Sequence, residues 1–403
     1  MSIPKRFQRL VDIAKKPERI ILGLMSGTSM DGLDMALCKV SGHGQDTRVE
    51  LLQSKTVDYT ANDRSRLAML VSQDEVSLPD LCIFNEWIAE YHASLVLAAL
   101  MDWGVQPSAV DCLASHGQTI YHAPTSWNHE GAMRHATLQM GDGDHLAVRT
   151  GILTLSDFRQ KEVAGGGEGA PLAPYAEGLL FSDKNPRILL NLGGIANMTW
   201  LPPKGAGVFP IFGDTGPANA LIDRAVRMTL PDNAEGYDYN GRIAKKGKIN
   251  RELLETLKDE PYFAKPCPKS TGPELFGDAF VEEAWKQAQQ AGDAPEDFIA
   301  TLTRLTVETI AETILNEIPT LANTELFGSG GGWKNPTIRR WMRELLPDPA
   351  FHEASELGFP SDVKEAMLFA VLANESLAGD GFQVLMKGGD GRSTAFGKFS
   401  FPD

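Results

Sequence analysis

The feature that most constrains the fold of this 403-residue chain is a pattern of two apolar segments joined by a turn, which occurs twice. Each time an apolar segment runs into a glycine-containing turn and a second apolar segment follows, first at "IILGLMSGTSMDGLDMALCKV" and again at "RILLNLGGIANMTWL". Two such runs of matching length predict a β-hairpin laid on a core. Because the copies share a plan but few residues, we interpret the chain as two related halves that meet near residues 155–185.

Helical and strand patterns alternate within both halves. Residues 78–101 have apolar positions at helical spacing, residues 110–114 read as a buried strand opening into a polar loop, and "FPIFGDTGPANALIDRAVRM" reads as strand, Gly/Pro loop and helix. This alternation predicts an α/β sheet whose strand ends carry a site. A short helix is predicted before the first strand. A late helix after residue 360 and the tail behind it are predicted to pack on the first half.

Length and charge narrow the class of protein. A chain of this length is expected to form two domains. The net charge of −15 argues against a nucleic-acid partner and against binding to anionic membranes. No apolar run approaches the roughly 18 residues of a membrane span. The four cysteines are scattered without a CxxC pair, which indicates free thiols in a reducing cytoplasm.

Three glycine-rich turns directly follow predicted strands, at residues 27–32, 213–219 and 328–332. Glycine allows a ligand to approach the backbone, and successive amides form a concavity that binds anions. Tight turns use the same residues, but three of them at strand ends favour a nucleotide phosphate site. None matches the Walker loop or the Rossmann glycine pattern.

Several polar residues at strand ends are candidates for chemistry, and each has a structural alternative. Asp214 ends a strand and is either a functional carboxylate or the N-cap of the helix that follows. Asp157 and Arg159 in "SDFR" either face a ligand or form a surface ion pair. His116 in "SHGQT" either faces a sugar-sized ligand or is a satisfied loop histidine. Glu365 is either a solvated helix residue or a Mg²⁺ ligand.

The spacing of the histidines does not predict a metal site. His116, His122, His129 and His135 lie near one another along the chain. Their spacings fit no common zinc pattern, so a zinc site is not predicted.

Ten segments taken together resemble the anhydro-N-acetylmuramic acid kinase family. They occur in the family's order from about residue 20 to nearly the end: "GLMSGTSMDGLD", "SHGQTIYH", "LQMGDG", "SDFR", "GAPLAP", "NLGGIAN", "DTGPANALID", "PKSTGPELF", "GSGGGWKNP" and "KEAMLFA". The resemblance implies the two-domain, duplicated actin-like ATPase fold of actin, hexokinase and heat-shock chaperones, with an interdomain cleft. The expected domains are residues 1–158 with 363–403, and residues 159–362.

By this resemblance the chain uses ATP and Mg²⁺. The residues expected at the nucleotide are Gly27, Thr28, Ser29, Met30, Asp31, Gly32, Leu33, Asp34, Gly193, Gly194, Gly216, Asn219, Gly330, Gly331 and Asn335. The residues expected at the sugar are His116, Gln118, Thr119, Asp157 and Arg159. Asp214 matches the family's catalytic aspartate and is also expected near the metal, and Glu365 matches its Mg²⁺-associated glutamate.

The family's reaction opens the internal 1,6-anhydro bridge of the sugar with water and phosphorylates O6. Opening the ring requires a carboxylate that deprotonates a water aimed at the anomeric carbon. A glycosidase also needs an acid to protonate the departing oxygen. Here the departing O6 attacks the γ-phosphorus instead, so one base and one phosphate site suffice. The predicted base is Asp214.

Three departures from the family pattern bear on the substrate. Glu168 stands where the family commonly has Gln, Ala218 where it has Gly, and Pro273 where it has Arg. Ala218 is expected to matter most, because a Cβ intrudes where glycine allows close approach or a positive φ.

Two alternatives stay open on sequence grounds. A kinase for another 1,6-anhydrosugar, such as levoglucosan, would keep the same phosphate loops and Asp214. A non-catalytic nucleotide-binding protein would keep the fold alone. Dimers are common in the family, so a homodimer is also considered.

Overall fold

The structure is a computed structural model that describes residues 3–27, 30–129, 132–358, 360, 363–383 and 393–403. Its strands are β1 (Glu18–Ser26), β2 (Gly32–Ser41), β3 (Arg48–Asp58), β4 (Cys112–His129), β5 (Ala132–Met140), β6 (Thr154–Ser156), β7 (Arg187–Leu192), β8 (Ile195–Leu201), β9 (Ile211–Pro217), β10 (Glu325–Ser329), β11 (Ala350–Glu353), β12 (Phe382–Gln383), β13 (Ser393–Thr394) and β14 (Lys398–Ser400).

The α-helices are α1 (Lys5–Ala14), α2 (Ala61–Ala68), α3 (Leu78–Asp102), α4 (Gly143–Thr150), α5 (Phe158–Ala164), α6 (Ala173–Phe181), α7 (Asn219–Thr229), α8 (Arg251–Lys258), α9 (Asp278–Ala291), α10 (Pro295–Glu317), α11 (Pro336–Leu345) and α12 (Lys364–Ala378). Short 3₁₀ turns occur at Gly44–Asp46, Pro107–Ala109, Tyr239–Gly241, Gly332–Lys334 and Ala354–Leu357. Among the helices that the structure describes, none combines the length and the apolar character needed to cross a membrane.

The chain divides into two compact units. The first consists of Met1–Leu180 with Pro360–Asp403, and the second of Phe181–Phe359. The tail therefore packs with the first half, as the sequence predicted. Residues 159–180 group with the first unit by their contacts, whereas the sequence placed the domain boundary after residue 158. The functional domain boundaries stay a prediction.

The sheet of the first unit has the order β14-β6-β4-β1-β2-β3, with β5 paired to β4. The hairpin β1–β2 is antiparallel and in register from Glu18 opposite Ser41 to Met25 opposite Asp34. β4 and β6 lie parallel to β1 and to β4 respectively. Apolar residues of β1 and β2 pack with α3 in one continuous core.

The sheet of the second unit has the order β11-β10-β7-β8-β9. β7, β8 and β9 form antiparallel neighbours, and β10 and β11 run parallel to β7 and to β10. The long helix α10 is buried on most of its faces within the core of this unit. The order β9-β8-β7-β10-β11 repeats the order β3-β2-β1-β4-β6 of the first unit. The predicted α/β class and duplicated plan are confirmed.

Two local predictions were wrong. The polar loop expected after residue 114 is instead a continuation of β4, which pairs with β5. The side chains of His116, Gln118 and Thr119 are buried and bind groups from other segments of the chain, so the strand does not need apolar residues there. The Gly/Pro loop expected between the strand and the helix of "DTGPANALID" is nearly absent, because β9 runs to Pro217 and α7 begins at Asn219.

Gly23 is required where α12 crosses β1. A Cβ on Gly23 would lie 1.8 Å from the carbonyl oxygen of Ala366. Gly23→Ala is therefore expected to force the helix off the strand and to lower the free energy of unfolding by about 3 kcal/mol or more. Denaturant unfolding measures this cost. Gly194→Ala is the control, since its Cβ would be 3.4 Å from the Ala220 side chain, and a change below about 1 kcal/mol is expected. Equal stability of both variants would contradict the packing argument.

Candidate active site

The first glycine-rich turn joins β1 to β2 in the first unit. Gly27 follows the end of β1, and the amide of Met30 donates to the Gly27 carbonyl at 3.2 Å. Thr28 and Ser29, which the sequence assigned to the nucleotide, lie outside the described residues. Asp31 is exposed, and its carbonyl accepts a hydrogen bond from a neighbouring strand. A backbone hydrogen bond thus joins Gly27 and Met30, directly after a buried strand.

The residues that begin β2 face different ways. Gly32 packs on the backbone of β3, where a Cβ would lie 2.4 Å from the Val57 carbonyl oxygen. The Leu33 side chain is buried in the core, so only its backbone is available to a ligand. Asp34 is half-buried and accepts a hydrogen bond from the Thr56 hydroxyl at 2.5 Å.

Gln118 holds the first turn from within the protein. Its Nε2 donates to the Gly27 carbonyl at 2.8 Å, and its Oε1 accepts from the Ser26 hydroxyl at 2.6 Å. Thr119 is buried too, and its hydroxyl accepts a long bond from Gln139 at 3.4 Å. The structure therefore gives both residues hydrogen bonds in the interior, and the sugar contact expected of them stays a prediction.

His116 orients Arg159. The Nδ1 of His116 faces the carbonyls of Ser26 and Gly117 at 3.2 and 2.8 Å, so Nδ1 carries the proton. Its Nε2 accepts a hydrogen bond from the Nε of Arg159 at 2.8 Å. Burial, reinforced by the charge of Arg159, lowers the pKa of His116 to about 3. His116 is thus a neutral acceptor at physiological pH that fixes the guanidinium.

Asp157 does not pair with Arg159, although both come from one short motif. Its carboxylate binds the Nζ of Lys398 on β14 at 2.8 Å. Its backbone has φ 56°, which is unusual for a residue other than glycine. The surface ion pair considered from sequence exists, but with a different base. A sugar contact of Asp157 stays a prediction.

Glu365, in the first turn of α12, lies in the electrostatic neighbourhood of Arg159 and Asp34. The side chain is solvent-exposed, yet protein atoms surround the carboxyl closely enough that partial desolvation raises its pKa. The negative charge of Asp34 raises the pKa of Glu365 further, whereas Lys364 and Arg159 lower it. Glu365 and Asp34 are thus close enough to interact electrostatically, and carboxylate oxygens are ligands that Mg²⁺ prefers.

Three glycine-containing segments meet in the second unit. A Cβ on Gly330 would lie 2.5 Å from the Leu192 carbonyl oxygen, just before Gly193. Gly330 also has φ 85°, which favours glycine. The Nδ2 of Asn219 donates to the Leu192 carbonyl at 3.2 Å, and a Cβ on Gly331 would lie 3.4 Å from the same nitrogen. The structure therefore brings together nucleotide residues predicted from three separate motifs.

The first amides of α7 are already occupied. The amides of Ala218 and Ala220 donate to the Gly194 carbonyl at 2.9 and 3.1 Å, and that of Asn219 donates to the Gly193 carbonyl at 3.1 Å. As placed, these amides satisfy the carbonyls of the glycine turn.

Two further residues assigned to the nucleotide have structural contacts. Gly216 is buried, and a Cβ there would lie 2.8 Å from the Phe263 ring. The Oδ1 of Asn335 caps α11 by accepting from the amides of Thr337 and Ile338 at 2.9 and 3.3 Å. A contact of either residue with ATP stays a prediction.

Asp214 lies inside β9 and is not the N-cap of α7, so the structural alternative raised from sequence is wrong. Its amide donates to the Lys269 carbonyl at 2.8 Å, and its carbonyl accepts from the Tyr262 hydroxyl at 2.7 Å. Its Oδ2 accepts from the Thr271 amide at 2.9 Å. Among the described residues, no donor reaches its Oδ1. The carboxylate is therefore held firmly with one oxygen left for a ligand.

The environment of Asp214 suits a general base. Partial burial raises its pKa to about 6, the exposed Glu274 adds to this, and the Thr271 amide opposes it. A carboxylate with this pKa is mostly ionised at pH 7 and is a much stronger base than an ordinary aspartate. Perturbation by burial at a strand end is typical of functional carboxylates.

The three departures from the family pattern have different consequences. Ala218 has φ −125° and is fully buried, so the position requires no positive φ and the core accommodates the Cβ. Glu168 is half-buried, and its charge raises the pKa of Glu162. Pro273 is exposed, two residues beyond the amide that binds Asp214. The effect expected at Ala218 is thus smaller than the sequence suggested.

Sequence reasoning missed Thr271 and Glu162, which fix other residues through hydrogen bonds. Thr271 binds Asp214 through a backbone amide, a contact for which residue type gives no signal. Glu162 accepts from the Gly169 amide at 2.6 Å and the Tyr175 hydroxyl at 3.1 Å, and it thereby ties down the "GGGEGAP" segment. The sequence did offer a signal for Glu162, because this carboxylate lies five residues after "SD" and next to a glycine-rich run.

The match to known proteins covers nearly the whole chain. A family model described as anhydro-N-acetylmuramic acid kinase matches residues 19–397. The anhydro-N-acetylmuramic acid kinase of Pseudoalteromonas atlantica is 41% identical over 99% of this chain and 100% of its own length. The enzyme of Pseudoalteromonas translucida is 42% identical over 98% of this chain and 98% of its own length. The enzyme of Caldanaerobacter subterraneus is 38% identical over 97% of this chain and 99% of its own length.

Among solved structures, a ROK family glucokinase from Streptomyces griseus in complex with glucose and AMPPNP is similar, with 16% identity, a TM-score of 0.32 and coverage of 87% of this chain and 98% of its own. This likeness is too weak to support a conclusion. The match over nearly the whole chain identifies a kinase. The chain belongs to the anhydro-N-acetylmuramic acid kinase family.

Proposed function

We propose that this protein is an ATP-dependent kinase that opens 1,6-anhydro-N-acetylmuramic acid with water and phosphorylates O6. The products are N-acetylmuramic acid 6-phosphate and ADP, and the reaction belongs to peptidoglycan recycling. Membership of the family supports the activity. The observation that carries the mechanism is the Asp214 carboxylate, with its pKa raised to about 6 and its Oδ1 open.

Asp214 is the proposed general base. Its Oδ1 accepts a proton from water as the water oxygen bonds to C1 of the sugar and the C1–O6 bond breaks. O6 bonds to the γ-phosphorus, and the bond from that phosphorus to the ADP oxygen breaks. The Thr271 amide and the Lys269 carbonyl keep the carboxylate in place, so no reorganisation is needed during proton transfer.

We assign the phosphates of ATP to the glycine-rich segments predicted from the sequence. Residues 27–34 are proposed to supply backbone amides, and the convergent segments around Gly193, Asn219 and Gly331 are proposed to supply glycine backbone and the Asn219 side chain. Glu365 and Asp34 are the proposed direct Mg²⁺ ligands, and the position near the metal expected for Asp214 stays a prediction. Mg²⁺, when bound, neutralises charge that develops on the transferred phosphoryl group.

Arg159 is the proposed sugar contact. His116 accepts from its Nε, its Nη1 donates a long bond to the Gly169 carbonyl at 3.5 Å, and the other guanidinium N–H groups are proposed to donate to oxygen acceptors of the sugar. His116 then acts through Arg159. All four cysteines are free thiols, which supports the proposed cytoplasmic location, where ATP is available. A homodimer remains part of the proposal only by analogy with the family.

The test is ADP release assayed with 1,6-anhydro-N-acetylmuramic acid, levoglucosan and glucose as separate substrates. The expected result is turnover with the first sugar and a product that has a free reducing end. Preference for levoglucosan would reassign the substrate while keeping the chemistry. A product that keeps its anhydro bridge, or preference for glucose, would overturn the mechanism.

The pH dependence follows from the pKa of Asp214. Below about pH 6 the carboxyl is protonated and has no capacity to accept the water proton, so kcat/KM for the sugar is expected to rise with pH and reach half its plateau near pH 6. Rates at saturating ATP between pH 4.5 and 8 measure the midpoint. Asp214→Glu should shift the midpoint, whereas Asp223→Asn, which changes another half-buried carboxylate of this unit, should not. A flat profile would contradict the assignment.

A further inference from the structure

A chain of buried hydrogen bonds lies beneath the first glycine-rich turn. The Nε2 of His92 and the hydroxyl of Tyr59 are 2.6 Å apart. That hydroxyl is 2.8 Å from the hydroxyl of Ser26, which in turn binds Oε1 of Gln118 at 2.6 Å. All four side chains are less than 2% exposed. None of them belongs to the chemistry described above.

Donor chemistry sets the direction of every bond in this chain. Because the Nε2 of Gln118 donates to the Gly27 carbonyl, its Oε1 is the acceptor and Ser26 must donate to it. The Ser26 oxygen then accepts from Tyr59, and the Tyr59 oxygen accepts from Nε2–H of His92. The chain therefore has one consistent polarity, from His92 to the Gly27 carbonyl.

The same chain holds both ends of the turn. The backbone amide of Tyr59 donates to the Asp31 carbonyl at 2.8 Å, beyond the turn. Its hydroxyl fixes Ser26 before the turn, and Gln118 fixes Gly27 at its start. One tyrosine thus spans the segment from Ser26 to Asp31. A hydrogen-bonded network in a dry interior is rigid when every member is satisfied.

Histidine at position 92 meets a specific requirement. The chain needs a neutral donor at its buried end, since a leucine donates nothing and a lysine would bury a charge. Nδ1 of His92 is buried and has no hydrogen-bond partner among the described residues. Burying an acceptor without a partner costs free energy. The hydrogen bond from Nε2 of His92 to Tyr59 is the contact that explains a histidine at this position.

We propose that His92 and Tyr59 are positioning residues that fix Ser26, Gly27 and Asp31, the described residues at the two ends of the first glycine-rich turn, for binding the phosphates of ATP. The inference rests on the proposed function, which assigns this turn to the nucleotide. Residues that are already fixed lose less conformational entropy when phosphate binds, so the network raises phosphate affinity without touching the ligand.

The experiment compares binding of a non-hydrolysable ATP analogue, AMPPNP, with binding of adenosine, by calorimetry on the full-length chain. Tyr59→Phe keeps the ring and the backbone amide but removes the hydroxyl, and His92→Leu removes the donor. Each is expected to weaken AMPPNP binding about tenfold and to leave adenosine binding unchanged, because adenosine has no phosphate. His92→Gln places an amide donor near Nε2 and is expected to restore AMPPNP affinity to within about twofold of wild type.

Tyr121→Phe is the matched control. It removes a hydroxyl that donates to Asp74 at 3.2 Å in the same unit and should change neither affinity. Thermal unfolding of each variant reports the structural cost separately. If His92→Leu does not fold, Tyr59→Phe and His92→Gln carry the comparison.

The outcomes separate this inference from the proposed function. If the wild-type protein binds AMPPNP no better than adenosine, the proposed nucleotide site is wrong. If the wild type discriminates between them and Tyr59→Phe binds both as the wild type does, the positioning role is wrong. Equal weakening of AMPPNP and adenosine, in proportion to lost thermal stability, would also overturn it, since this indicates a purely structural network.

Discussion

Asp214→Asn is expected to lower kcat for anhydrosugar phosphorylation by about 10³-fold or more. General base catalysis contributes roughly 10²–10⁴-fold, and here the base also replaces the second carboxyl that a glycosidase would use. The amide keeps the size of the side chain and an oxygen for the Thr271 amide, so the geometry around position 214 is retained. ADP release at saturating ATP and sugar measures the effect.

The stability of Asp214→Asn tests the raised pKa of Asp214 independently of activity. Burial raises the pKa of Asp214 from 3.8 to about 6, so the folded protein binds a proton more readily than the unfolded chain. At pH 7 the ionised carboxylate therefore costs stability, on the order of 2–3 kcal/mol, and the cost is relieved as the pH falls through 6. Asp214→Asn should be at least as resistant to denaturant as the wild type at pH 7.

Asp223→Asn is the control for both measurements. Asp223 is a half-buried carboxylate of α7 whose pKa is also raised by burial, and no catalytic role is assigned to it. It should keep kcat within about twofold of the wild type, because general base catalysis is lost only at the reacting carboxylate. Near-normal turnover of folded Asp214→Asn would remove the basis of the mechanism.

The second large effect is expected at Glu365. Glu365→Gln removes one of two carboxylates proposed to hold Mg²⁺, and an amide oxygen is a weaker ligand without charge. The Mg²⁺ concentration for half-maximal activity should rise about tenfold or more, and kcat at saturating Mg²⁺ should fall about 10²-fold, because stabilisation of phosphoryl charge is lost. Initial rates over a Mg²⁺ titration measure both changes.

Glu375→Gln is the control on the same helix. Burial also raises the pKa of Glu375, but its carboxylate accepts from the Gly44 amide and has no place in the proposed site. Its Mg²⁺ titration should match that of the wild type. If Glu365→Gln shows an unchanged Mg²⁺ requirement, the metal does not bind at this carboxylate, and Asp214 or another acid would have to hold it.

The sequence was informative wherever a pattern is local. The β1–β2 and β7–β8 hairpins, the helix beginning at Leu78 and the helix after residue 360 all follow from apolar spacing and turn residues. These signals repeat within each half, so the duplicated α/β plan could be predicted without any coordinates. The order of ten short motifs was sufficient to indicate the family.

The roles of single polar residues were much harder to predict. The sugar contact expected of Gln118 stays a prediction, and its bonds to Ser26 and Gly27 inside the protein could not be read from the sequence. Asp157 and Arg159, two positions apart, bind different partners, Lys398 and His116. Such pairings join residues that are distant in sequence, and residue type gives a donor or an acceptor but not its partner.

The sequence by itself determined the α/β class, the duplicated halves with their hairpins and the family, because apolar periodicity and glycine turns act over a few neighbouring residues. Only the tertiary structure decided the order of the strands, the raised pKa of Asp214, and the contacts of Tyr59 with both ends of the first turn. A pKa and a buried hydrogen bond depend on which groups surround an atom in space. Such neighbours can be far apart in the sequence: Ser26 and Gln118, which share a hydrogen bond, are 92 positions apart.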